Sequence, residues 1–108
     1  MQNAPEPLLD LARDGIEEAY AQILSQGRST NDFVFQIKDA DPPTLAVYSA
    51  SEYVARATAE GAPSELLSWL SKPIGPNEVR IVIARDGKAL PYLVGLRPRA
   101  PAGSGQPN

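Results

Sequence analysis

Hydrophobic and polar residues alternate most cleanly over Glu78–Leu96. Val79, Ile81 and Ile83 are separated by Arg80, Val82 and Ala84, the two-residue period of a strand with one buried face. Asp86-Gly87 follows at once. A two-residue Asp-Gly loop suits a type I′ turn, in which both central residues take positive φ and the turn matches the strand twist. Alternation resumes in Lys88–Leu96 through Leu90, Tyr92 and Val94. Pro91 has no N–H to give to a ladder, so this arm belongs at a sheet edge or at a bulge. A lone hairpin is only marginally stable in water. The rest of the chain must therefore supply further strands and a covering layer.

Upstream the period changes. Leu9, Ala12, Ile16, Ala19, Tyr20, Ile23 and Leu24 fall at helical spacing, with Asp10, Arg13, Asp14, Glu17, Glu18 and Gln22 between them. This predicts one amphipathic helix of about five turns with a single apolar stripe. Pro7 fits its first turn, and Gly27 can take the left-handed conformation that closes it. Phe33–Lys38 reads as a strand with Phe33, Phe35 and Ile37 facing in. Asp39-Ala40-Asp41-Pro42-Pro43 interrupts it, and Thr44–Tyr48 returns as an antiparallel partner. Ser49-Ala50-Ser51-Glu52 has capping-box spacing, predicting a helix with Tyr53, Val54 and Ala57 inward that ends at Gly61. Pro63 opens another helix, with Leu66, Leu67, Trp69 and Leu70 on its apolar face, stopped by Lys72-Pro73; Trp69 reads as a core anchor or, if it projects outward, as an interface hot spot.

The expected fold is therefore α+β: a single small domain over residues 7–96, in the order α-β-β-α-α-β-β. Its four strands form one antiparallel sheet with the helices on one face. The strand from Glu78 joins the first hairpin, leaving Pro91 at an edge. Residues 1–6 and 97–108 are polar and proline-containing, with nothing to bury, and are expected to be disordered.

Composition narrows the chemistry. A chain of 108 residues holds one modest core. It has no cysteine and no histidine. That removes disulfides, thiolates, the commonest neutral-pH acid/base group and the commonest metal ligand. Ser29, Thr30, Ser49, Ser51, Ser64, Ser68 and Ser71 lack a histidine base, and no spacing singles out a serine–lysine pair with Lys38, Lys72 or Lys88. Ser49 and Ser64 read instead as helix starts. No glycine-rich phosphate loop occurs. Asp39-x-Asp41 offers hard oxygen ligands, but the further ligands and glycine of a calcium loop are missing, so it reads as a solvated turn before Pro42. No enzyme activity, cofactor or metal is expected. No apolar run approaches the roughly 18 residues that span a membrane, and the N-terminus has no signal-peptide pattern, so the expected setting is cytoplasmic.

Charge is unevenly placed within a net −3. Residues 1–71 carry eleven acids against four bases, a net of −7, and residues 72–108 carry six bases against two acids, a net of +4. Either a basic sheet complements acidic helices internally, or the basic hairpin steers an acidic partner. The leading expectation is a non-catalytic protein-binding module, an adaptor, regulator or inhibitor. It would bind through the sheet face or edge around Arg80, Arg85, Lys88 and Tyr92. The alternative is a nucleic-acid-binding accessory protein using the same hairpin with Arg97 and Arg99, since aromatic rings such as Tyr92 and Tyr48 flanked by cations stack single-stranded bases. An enzyme built from carboxylates and lysines alone would need a concave pocket with perturbed acids. Homodimerisation through an edge strand is compatible with each of these.

Overall fold

The structure, a computed structural model, describes residues 7–96. The expected disordered ends lie outside the described residues. In chain order the elements are α1 (Pro7–Leu11), α2 (Arg13–Ser25), β1 (Phe33–Lys38), β2 (Thr44–Ser49), α3 (Ala50–Ala59), α4 (Ser64–Ser71), β3 (Glu78–Arg85) and β4 (Lys88–Gly95). A single 3₁₀ turn, Thr30–Asp32, leads into β1. Among the described residues, no helix is long and apolar enough to cross a membrane.

Local chemistry fixes most boundaries. The Ser49 hydroxyl accepts from the Glu52 N–H at 3.2 Å and caps α3. Gly27 and Gly61 take φ of 71° and 77° just past α2 and α3, a conformation that costs a glycine nothing. Asp86 and Gly87 have φ of 54° and 75°, the double positive φ of a type I′ turn. Ser64, by contrast, is already inside α4, whose N-cap is Pro63 and has no side-chain cap. The predicted N-terminal helix is also corrected. It breaks at Ala12 into α1 and α2, although the Ala12 N–H still reaches the Leu8 carbonyl at 3.0 Å. Across the break Leu8 is buried, while Leu11 is 71% exposed and Leu24 lies off the core.

The sheet order is β2-β1-β3-β4. β1–β2 and β3–β4 are antiparallel hairpins, as the alternation implies, but β1 and β3 run parallel, with Phe35 opposite Ile81 and Ile37 opposite Ile83. The all-antiparallel sheet is thus corrected to a mixed one. The reason lies in the connection. β2 ends at Ser49, beside Phe33 at the start of β1. The two helices α3 and α4 then go out and back, so the chain re-enters the sheet at the same end and β3 sets off alongside β1.

Helices on one face is the second correction. Phe35, Ile37, Val79, Ile81 and Ile83 pack under α1 and α2 with Leu8, Ile16, Tyr20 and Ile23. Val34 and Val82 point the other way and form a second core with Ala57, Leu66 and Leu70 of α3 and α4. Trp69 is half-buried at the margin of that second core. Each central strand is therefore covered on both sides, which is why Val34, Phe35, Ile37, Ile81, Val82 and Ile83 are all fully buried.

One clamp holds the return into β3. The Asn31 side chain donates from Nδ2 to the Ile74 carbonyl at 3.0 Å and accepts from the Ile74 N–H at 2.8 Å. Arg80 donates to the Asn31 carbonyl at 3.2 Å and to the Lys72 carbonyl. Tyr20 donates its hydroxyl to Asn77 Oδ1 at 3.0 Å from the opposite face.

Candidate functional site

Two main-chain bonds fix the phase of the outer hairpin. The Leu96 N–H donates to the Asn77 carbonyl at 2.6 Å, and the Asp39 N–H donates to the Ala84 carbonyl at 2.9 Å. A residue's N–H and C=O point to the same side of an antiparallel strand, and that side alternates along the chain. Even-numbered residues of β4 therefore turn their peptide groups toward β3, and Ala89, Pro91, Leu93 and Gly95 turn theirs outward from the sheet. The Arg85–Lys88 pair that closes the two-residue loop is in the same phase. Pro91 sits where no ladder bond is lost, so β4 needs no bulge.

The same four residues share a face. Register places Ala89, Pro91 and Leu93 opposite Ala84, Val82 and Arg80, on the side of α3 and α4. All four are exposed, Leu93 by 47%. Their neighbours Leu90, Tyr92 and Val94 pack on the first core instead. α3 and α4 cover the central strands on their side and leave β4 open. Among the described residues, the result is an unpaired strand edge beside an uncovered apolar strip.

At the hairpin end, this strip meets a cleft of about 560 Å³ between α3, the α3–α4 turn and the tip of the β3–β4 hairpin. Gln36, Arg56, Glu60, Leu66, Lys88 and Ala89 line it. Arg56 lies 5.2 Å from the Tyr48 ring centroid, a cation–π distance. Tyr48 in turn meets Tyr53 at 5.6 Å between ring centroids. Burial first, and then the neighbouring Tyr48 and Glu60, push the Tyr53 hydroxyl above its ordinary pKa, with Arg56 opposing them, so it stays protonated at neutral pH. Among the described residues, no carboxylate lies within ion-pair reach of Arg56 or Lys88.

The four sequence-predicted site residues do not form one surface. Arg80 is the correction: it is 2% exposed, on the α3/α4 side, held by main-chain carbonyls. Burial lowers its pKa, and its Nε has no partner among the described residues. Arg85 pairs with Asp39, the residue considered for a cation turn. Tyr92 is half-buried against the first core. Only Lys88 stands free at the tip. Among the described residues, no three acidic side chains converge on a common point. Several hydroxyls are engaged by backbone: Thr58 donates to Val54, Ser71 to Leu67, and Ser29 accepts from the Asn31 N–H, whereas the buried Thr30 hydroxyl has no partner among the described residues.

Ala89, Leu93, Gly95 and Arg56 were not singled out by sequence. The first three are the complement of the Leu90/Tyr92/Val94 row, in phase with Pro91, which is a legible signal once Pro91 is placed at an edge. Arg56 carries no local mark. The chain matches no protein-family model, no curated protein and no solved structure.

Proposed function

We propose that this protein is a non-catalytic binding module that captures an extended segment of another protein as a strand added to β4. The observation that carries this reading is the coincidence, on one row of residues, of outward main-chain groups and an uncovered apolar side. Main-chain bonds supply the affinity in strand addition, and the side-chain strip supplies the selectivity.

Pro91 favours a foreign strand over a second copy. In a two-fold β4–β4 pairing the missing N–H is counted twice, once from each copy, and each leaves a facing carbonyl without its donor. A heterologous strand meets the gap once. Of the cations the nucleic-acid reading draws on, Arg80 is buried and Arg85 is ion-paired; Lys88 stays exposed, and Arg97 and Arg99 lie outside the described residues.

The test is affinity capture from host lysate, split into nuclease-treated and untreated halves. The wild-type chain is compared with the Ala89→Pro, Leu93→Pro double variant. Both substitutions remove outward N–H groups and leave the β3–β4 ladder intact, so melting within a few degrees of wild type confirms folding. The expected result is one protein retained in both halves by the wild type and lost by the variant. A partner retained equally by both, or retention of nucleic acid alone, overturns the proposal.

A further inference from the structure

The cleft beside Ala89 specifies what the added strand carries. Ala89 belongs both to the outward row of β4 and to the cleft lining. A strand laid along β4 therefore passes the cleft mouth at its Ala89 end. Side chains alternate across a strand, so those sharing the α3/α4 side face Leu93 and Pro91 at one end and the cleft at the other. Leu93 and Pro91 ask for apolar groups. The cleft asks for something else: it presents the Arg56 guanidinium and the Lys88 ammonium against the single carboxylate of Glu60. Neither cation has an ion-pair partner among the described residues. The Gln36 amide, half-buried on the sheet side, adds neutral donors. The volume, about 560 Å³, lies within the roughly 300–1,000 Å³ of ligand sites.

We infer that the partner segment is an acidic, extended peptide whose Asp or Glu side chain enters the cleft between Arg56 and Lys88. This rests on the strand-addition reading. Charge at the cleft sets the register of the added strand, because in a given strand orientation one register brings its carboxylate to the Ala89 end.

The full chain is titrated with short labelled peptides of alternating threonine and valine carrying one glutamate, glutamine or lysine, followed by fluorescence anisotropy and amide-resolved NMR. All three peptides are expected to shift the Ala89, Leu93 and Gly95 amides. At low salt the glutamate peptide binds about fivefold more tightly than the lysine peptide, an advantage that fades at high salt. The Arg56→Glu, Lys88→Glu double variant reverses the order, and Glu60→Gln widens the wild-type preference. Edge shifts with equal affinity for all three peptides would overturn the acidic-segment inference and leave strand addition standing. Absence of edge shifts with every peptide would remove both.

Discussion

Asn31→Ala tests the clamp that returns the chain into the sheet. The substitution deletes two hydrogen bonds to Ile74, at 3.0 Å and 2.8 Å, and a long, exposed one from Nδ2 to the Ser29 hydroxyl at 3.4 Å, while the Asn31 carbonyl still serves Arg80. A neutral hydrogen bond contributes about 1 kcal/mol net. Fully buried orphans would each add about 1–3 kcal/mol more, but Ile74 is half-buried and its peptide groups regain water. The expected loss is therefore about 2 kcal/mol. In a domain of this size, that lowers Tm by roughly 10 °C. Urea denaturation should show a lower midpoint at unchanged slope, since the surface exposed on unfolding is the same. Hydrogen exchange gives a local readout: the Ile74 N–H, donated to Asn31 Oδ1, should lose protection out of proportion to amides in β1 and β3. Coupling to Arg80→Met should exceed about 0.5 kcal/mol, because both side chains fasten the Lys72–Asn77 segment. A loss below about 0.5 kcal/mol with Ile74 protection retained would refute the clamp.

Two further outcomes follow from the same packing. Val82→Lys should abolish cooperative unfolding, since an unpaired charge at a fully buried site costs several kcal/mol out of a total of roughly 5–15; Val47→Lys, at a site 42% exposed, should stay within about 0.5 kcal/mol. A Val82→Lys chain that melts like wild type in calorimetry would contradict the second core. Tyr20→Phe should cost about 1 kcal/mol at neutral pH through loss of the bond to Asn77. Burial raises the Tyr20 pKa above 10.0, so above that pH the unfolded chain gives up its proton first and stability falls as pH rises. Tyr53 is shifted the same way, so the variant's alkaline slope should be shallower without vanishing, and an unchanged slope in urea midpoints would argue against the assignment.

Both hairpins, the Asp86-Gly87 turn, the Ser49 cap and the apolar stripe of α2 were legible because each depends on residues within a few positions of one another. Placing Pro91 at an edge also followed from one missing N–H. What alternation could not reveal was whether the second face of each central strand meets solvent or helices. Arg80 between Val79 and Ile81 looks like a surface residue, and it is buried because α4 and the following loop fold over it. The signal present was Val34 and Val82, apolar residues in rows read as outward, together with the apolar faces of α3 and α4, which needed a sheet surface of their own. The parallel β1–β3 pairing was likewise set by where two helices deliver the chain, a long-range matter. The binding edge divides in the same way. Which β4 residues alternate, and where a donor is missing, is local chemistry written in neighbouring residues. The tertiary structure alone decided that α3 and α4 leave that row uncovered and bring Arg56 beside Lys88, because coverage and juxtaposition depend on packing between elements far apart in the chain.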